Sequence, residues 1–218
     1  MKKKFMLLSC CLLAAFALWT AAVTRVDVQA IGPEGSSVGF AGLNGFVHRY
    51  TGVHMALYHM TDRLSLIPLM IVMGFGAMGL CQWIRRRSLW RVNPDILALG
   101  GFYLLTGAAF AFFEAFVVNY RPVLIEGILE ASYPSSTTML VICVMSTAAM
   151  QVRERIHNPK LRSRTILLIH GFTVFMVLGR LLSGVHWLTD ILGGILLSSG
   201  LVALYASVTS SENKKRDC

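Results

Sequence analysis

The feature that most constrains this chain is a series of six mainly apolar windows, at residues 5–23, 64–84, 96–118, 137–152, 165–182 and 188–208, divided by stretches too charged for lipid. A helix rising 1.5 Å per residue needs about 20 such residues to cross a ~30 Å hydrocarbon core. Between the second and third windows lies Arg85-Arg86-Arg87-Ser88-Leu89-Trp90-Arg91, and residues 153–164 after the fourth carry five more basic side chains. The windows predict an all-α fold, a bundle of six transmembrane helices. Composition agrees: 14% of the 218 residues are charged, where a soluble domain carries roughly 25%. Three parts follow: an N-terminal anchor helix with an outer interfacial segment at 1–63, a membrane core at 64–208, and a cytoplasmic tail at 209–218.

The net charge of +9 could suggest a nucleic-acid partner until the basic residues are placed. With the N-terminus inside, Lys2, Lys3, Lys4, Arg85, Arg86, Arg87, Arg91, Arg153, Arg155, Lys160, Arg162, Arg164, Lys214, Lys215 and Arg216 are cytoplasmic, 15 of the 20. Arg25, Arg49, Arg63, Arg121 and Arg180 remain outside. Membrane proteins concentrate Lys and Arg in cytoplasmic loops, so the distribution selects an N-in, C-in orientation, expected in the plasma membrane. The surplus is topological, and no nucleic-acid partner is expected. The first window also has the outline of a signal peptide, but its length and its middling Thr20-Ala21-Ala22 site favour an uncleaved anchor. Cys10, Cys11, Cys81, Cys143 and Cys218 lie in windows or on the cytoplasmic side, without disulfide or metal-binding spacing; they read as apolar filler and a free tail thiol. Gly194 and Ser198 have small-xxx-small spacing, a helix-packing pattern.

Residues 24–63 face outward, and their second half mixes Phe46, Tyr50, Leu57 and Tyr58 with His48, His54 and His59, as one or two interfacial helices would. Polar residues at outer ends of the windows carry the chemistry, because charge near a membrane core is costly and persists where it has a task. One cluster is Asn119-Tyr120-Arg121-Pro122 followed by Tyr133-Pro134-Ser135-Ser136-Thr137. The other runs from Gly179-Arg180 through Ser183-Gly184-Val185-His186-Trp187 to Asp190. His186 and Asp190 are four apart, which on a helix puts them on one face. The carboxylate would hold one imidazole nitrogen as N–H and leave the other free to attack. Arg121 and Arg180 supply planar, permanently charged forks suited to phosphate oxygens. Ser135, Ser136 and the N–H groups opening the fourth window add donors at a positive helix end. Together these residues make an oxyanion cup with a nucleophile at its floor.

This constellation resembles the type 2 phosphatidic acid phosphatase family, whose pattern is Lys-x6-Arg-Pro, Pro-Ser-x-His and Ser-Arg-x5-His-x3-Asp. Here the motifs read Glu114-x6-Arg121-Pro122, Pro134-Ser135-Ser136-Thr137 and Gly179-Arg180-x5-His186-x3-Asp190. The resemblance spans the chain from about the second window to the C-terminus. It implies a six-helix membrane phosphatase acting on a phosphorylated lipid, with an outward-facing site at helix ends. By the same resemblance His186 forms a phosphohistidine, Asp190 orients it, and Arg121, Ser135, Ser136 and Arg180 bind phosphate. No cofactor and no metal are implied.

Two positions depart from the pattern. Glu114 replaces the family lysine with the opposite charge, and is read as pairing with an arginine two turns away. Thr137 replaces the histidine that protonates the leaving oxygen, help worth ~10²- to 10⁴-fold in rate. It reads as a helix N-cap or as a residual phosphate contact. His48, His54 or His59 could supply a replacement acid. His157 and His170 read as structural, and Trp187 as an interface-belt residue. The alternative to a phosphatase is a non-catalytic sensor, scaffold or carrier of phosphorylated lipid with the same fold.

Overall fold

The computed structural model describes residues 2–216, with side chains through Thr209. Cys218, the expected tail thiol, lies outside the described residues, as do the side chains of Lys214, Lys215 and Arg216. Eight α-helices form in this span: α1 (Lys2–Val23), α2 (Ala41–Thr51), α3 (Met55–Leu64), α4 (Leu66–Arg86), α5 (Pro94–Ala115), α6 (Ser136–Arg155), α7 (Pro159–Leu182) and α8 (Leu188–Arg216). Local chemistry sets several of their ends. Proline is the first residue of α5 and α7, where its missing N–H costs nothing. The Asn158 side chain accepts from the N–H groups of Lys160 and Leu161 at 3.0 and 3.1 Å, capping α7.

Among the described residues, five helical stretches are long and apolar enough to cross a membrane: α1, α3 continued by α4, α5, α7 and α8. The protein is an integral membrane protein built as a helical bundle. The fourth expected span forms as α6, and 11 of its 20 residues are buried, including Thr137, Thr138, Thr147 and Gln151. It packs against α4, α5, α7 and α8. A helix enclosed by its neighbours can carry hydroxyls and an amide that a lipid-facing helix would not, which is why its apolar window reads as the shortest.

α1 lies along α8. Ser9 Oγ donates to the Gly200 carbonyl at 2.9 Å, and a Cβ on Gly200 would stand 2.7 Å from the Leu13 side chain. Phe16, Leu99, Phe102, Tyr133, Met139, Leu201 and Tyr205 pack into one core shared by α1, α5, α6 and α8. A Cβ on Gly193 would meet the Tyr133 ring at 2.6 Å, so α8 needs glycine there to let the segment before α6 approach. Gly194 also serves packing, with its own Cβ position 3.2 Å from Thr138, as its spacing to Ser198 suggests. At the bundle end where α5 begins and α6 ends, Asp95 and Arg155 form an ion pair at 2.6 Å, extended through Gln151 to Tyr205.

The segment preceding α4 docks on the opposite end. His54 N–H donates to the Ser183 carbonyl at 2.9 Å, and Thr61 packs on Gly179. Gly184 has φ +68°, and a Cβ there would lie 1.9 Å from the Gly52 carbonyl oxygen. Glycine at 184 is thus required both by the left-handed backbone and by this contact. The turn carrying residues 183–187 and the segment carrying α3 are thereby pressed together.

Candidate active site

Residues 116–135 connect α5 to α6 as a narrow double-back. Arg121 N–H donates to the Glu130 carbonyl at 3.0 Å, Tyr120 bridges Ala131, and Ser132 N–H donates to the Asn119 carbonyl at 2.9 Å. This pairing places Asn119 and Ser132 side by side at the start of α8. There Asp190 accepts three hydrogen bonds: from Asn119 Nδ2 at 3.2 Å to Oδ1, and from Ser132 Oγ at 2.5 Å and the Trp187 N–H at 3.0 Å to Oδ2. The last of these is the return bond of a capping box, with Trp187 as the residue just before the helix. Asp190 is fully buried and its two oxygens are all engaged.

His186 precedes that cap, so it does not share a helical face with Asp190 as the four-residue spacing suggests. The two are joined through Ser132 instead, whose Oγ lies 2.9 Å from His186 Nδ1. On its other side, His186 Nε2 is 3.2 Å from Arg180 Nη2. A guanidinium can only donate, so Nε2 presents its lone pair and Nδ1 carries the proton. Ser132, already donating to Asp190, is then the acceptor for Nδ1–H. The result is an ordered relay, Nδ1–H to Ser132 Oγ–H to Asp190. Burial, together with the Arg121 and Arg180 charges, holds the His186 pKa well below 6.5, against a smaller opposing effect of the Ser132 hydrogen bond. The imidazole is therefore neutral near pH 7, with the Nε2 lone pair available.

Arg180, in the last turn of α7, is 1% exposed, and Arg121 is 8% exposed. Nε and Nη1 of both arginines are buried without a hydrogen-bond partner among the described residues. Their cation–π support comes from Tyr58 of α3, whose ring centre lies 4.8 Å from the Arg180 guanidinium carbon and 5.8 Å from that of Arg121. Two carboxylates flank the pair: Glu130 at 3.0 Å from Arg121 Nε, and Asp62 at 3.9 Å from Arg180 Nη1. Four buried donor nitrogens next to an imidazole lone pair form a cup suited to a tetrahedral oxyanion.

The structure thus brings Arg121, Arg180, His186 and Asp190 together. Ser135 adjoins them: its N–H donates to the Asp190 carbonyl at 3.0 Å and its Oγ accepts from Thr138 N–H at 3.5 Å, as the N-cap of α6. Thr137 is not that cap. It is buried and, with Ser136, lines a cavity of about 470 Å³ between α4, α5 and α6, walled by Leu69, Val72, Tyr103 and Phe110. Ser136 also borders a small crevice with Ser132, Tyr133 and Glu114. Glu114 is exposed and has no ion pair among the described residues; the carboxylate at Arg121 belongs to Glu130. Trp187 is 3% exposed rather than an interface-belt residue: its Nε1 donates to the Tyr120 carbonyl at 2.8 Å and its ring packs against His48. His54 Nε2 lies 2.9 Å from the Thr51 carbonyl, and His59 packs beside Tyr58.

Ser132, Asn119, Tyr58, Asp62 and Glu130 have no place in the sequence motifs, yet they line or brace the site. Asn119 and Ser132 do adjoin the motifs, and a small polar residue two positions before Arg121-Pro122 or Pro134-Ser135 is the one sequence signal that marks them.

A family model described as the PAP2 superfamily matches residues 65–214. No curated protein sequence matches the chain. Among solved structures, the chain is similar to a crystal structure described as the first transmembrane PAP2 type phosphatidylglycerolphosphate phosphatase from Bacillus subtilis. The TM-score is 0.58 at 18% identity, covering 94% of this chain and 96% of that one.

Proposed function

The chain belongs to the PAP2 superfamily, and on that premise we propose that it is a membrane phosphatase that removes phosphate from a lipid phosphate or diphosphate through a phosphohistidine on His186. Family membership supports the coarse activity. The observation that carries the finer reading is the polarised imidazole: a lone pair on Nε2 beside Arg180 and a proton on Nδ1 relayed through Ser132 to Asp190. The distribution of basic residues supports a site facing the outer leaflet. Arg85, Arg86, Arg153 and Arg155 end α4 and α6 at the bundle end remote from His186, which the positive-inside rule assigns to the cytoplasm.

In this mechanism the terminal phosphate enters the cup and its oxygens draw the guanidinium donors of Arg121 and Arg180, Arg180 leaving Nε2 as it does so. Nε2 attacks phosphorus, an N–P bond forms, and the bond to the leaving oxygen breaks. That oxygen takes its proton from water. The positive charge gained by the ring is stabilised through Nδ1–H, Ser132 and Asp190. Water then attacks phosphorus and breaks the N–P bond, which releases inorganic phosphate and a proton and restores His186. Charge-stabilising donors of this kind are worth roughly 10²- to 10³-fold each in rate when removed singly.

The test is phosphate release by the purified full chain from a panel of lipid monophosphates and diphosphates. Wild type is expected to turn over at least one of them and His186→Ala none; equal inactivity of the two on every substrate rejects the enzyme reading. Glu114 and Thr137 favour a second reading, a non-catalytic protein that binds phosphorylated lipid. It expects headgroup-dependent binding without turnover, lost in the Arg121→Ala, Arg180→Ala double variant.

A further inference from the structure

Glu130 holds an unusual position for an ion-pair partner. Its Oε2 is 3.0 Å from Arg121 Nε, yet that nitrogen makes no hydrogen bond by direction, and Arg121 Nη1 has no partner among the described residues either. A carboxylate placed to hold an arginine permanently would meet the fork side-on with two aligned bonds. This one lies against the charge without engaging the donors. The two residues also differ in exposure: the Arg121 side chain is 10% exposed and that of Glu130 39%. Meanwhile the Glu130 backbone is fixed, its carbonyl accepting from Arg121 N–H at 3.0 Å and its neighbour Ala131 bridging Tyr120. A rigid backbone thus holds a half-free carboxylate at the edge of the cup.

We propose that Glu130 is an internal competitor for phosphate: it sits against Arg121 in the free protein, is displaced when a phosphate binds, and returns to help expel the product. The inference rests on the arginine-pair site described above. Chemistry favours the exchange in both directions. A terminal phosphate carries about −1.5 to −2 charge and three acceptor oxygens, so it can satisfy the donors that a single misaligned carboxylate leaves unpaired. Once the phosphate is free inorganic product, the tethered carboxylate competes with it at a high effective concentration set by its short connection. The bilayer itself supplies phosphodiester headgroups that carry one negative charge. A competitor that weakens every anion by a common factor keeps such weak ligands from occupying the site.

The experiment measures binding of inorganic phosphate and of dimethyl phosphate, a monoanionic diester, to the detergent-purified full chain, for wild type, Glu130→Gln, Glu130→Asp and Arg121→Ala. Glu130→Gln is expected to bind both anions more tightly by a common factor of about 3 to 10, the range for a partly exposed charge contact. Glu130→Asp keeps the charge and should stay within twofold of wild type, which separates loss of the charge from a folding defect. Unchanged or weaker phosphate binding in Glu130→Gln overturns the proposal. So does a gain confined to inorganic phosphate, which would mean that Glu130 stays beside the bound anion instead of giving up its seat. Arg121→Ala binding phosphate as well as wild type would instead overturn the site itself.

Discussion

Replacing Ser132 with alanine tests the relay between His186 and Asp190 most directly. The serine hydroxyl accepts from His186 Nδ1–H across 2.9 Å and donates to Asp190 across 2.5 Å. Both partners are buried, at 3% and 0% exposure. Asp190 would keep its bonds from Asn119 and the Trp187 N–H, so the main loss falls at Nδ1–H, left buried without an acceptor. Such a group costs roughly 1–3 kcal/mol. The ring can avoid that cost by moving its proton to Nε2, but this hides the nucleophilic lone pair and sets a donor against Arg180. Either way the penalty reaches the transition state, and at 1.36 kcal/mol per tenfold the expected fall in kcat is about 5- to 150-fold. KM should change little, because the arginine pair is untouched. The assay is initial-rate phosphate release from a short-chain lipid phosphate, comparing wild type with Ser132→Ala, Ser132→Thr and His186→Ala. Threonine retains the hydroxyl and is expected to recover most of the rate. A Ser132→Ala kcat within twofold of wild type, or an effect wholly in KM, would refute the relay.

Other perturbations address separate parts of the molecule. Tyr58→Leu removes the ring facing both guanidiniums while keeping an apolar side chain and should raise KM about 3- to 10-fold, from a contact worth roughly 0.5–2 kcal/mol; Tyr58→Phe should stay within twofold, and an equal effect of the two would argue against the cation–π contact. Thr137→His should raise the rate on a lipid monophosphate about 10²-fold or more if a general acid is what the site lacks. The gain on a diphosphate should be much smaller, since its leaving phosphate ionises near pH 6 and needs no proton; no gain on either substrate counts against a missing acid. The folded His186 pKa lies well below 6.5, so below that pH the unfolded chain binds the extra proton and stability rises with pH. Its contribution is complete above about pH 6.5 and lost as pH falls toward the depressed folded value. His186→Asn should therefore melt with a shallower drop than wild type between pH 7.5 and 5.5, and an equal drop would contradict the shift. Gly184→Ala must place a Cβ 1.9 Å from the Gly52 carbonyl at φ +68°, and is expected to lose about 2–4 kcal/mol of stability in a detergent melt.

What could be read from the sequence follows how local each signal is. Apolar length located α1, α4, α5, α7 and α8 to within a few residues at most ends, because a helix that crosses the hydrocarbon core must stay apolar over that length. Arg180, His186 and Asp190 were legible as a group because the eleven residues 180–190 hold all three. Even there the link was misread: spacing alone treats positions 186 and 190 as helical neighbours, whereas α8 begins at Leu188 and the hydroxyl of Ser132 fills the gap. Ser132 and Asn119 meet only because the chain doubles back between them, a pairing that no periodicity announces. Tyr58, Asp62 and Glu130 are more remote still. Two of them sit on α3, before the segment that the family model matches, and they reach Arg180 only after α3 docks on the α7–α8 turn.

The burial of α6 has a consequence for how the protein is made. Insertion machinery samples helices largely one at a time, and each polar residue near the centre of a segment weakens its partition into lipid. A helix that opens Ser136-Thr137-Thr138, carries Thr147 near its middle and Gln151 a turn before its end is a poor solitary entrant. Its satisfactory surroundings exist only after α7 and α8, which emerge later, have closed around it. Biogenesis should therefore deliver α6 and α7 together as a hairpin, with Arg153, Arg155 and the connecting loop retained on the synthesising side. Truncating the nascent chain just after residue 158 should leave α6 poorly inserted, and extending it through Leu182 should rescue it.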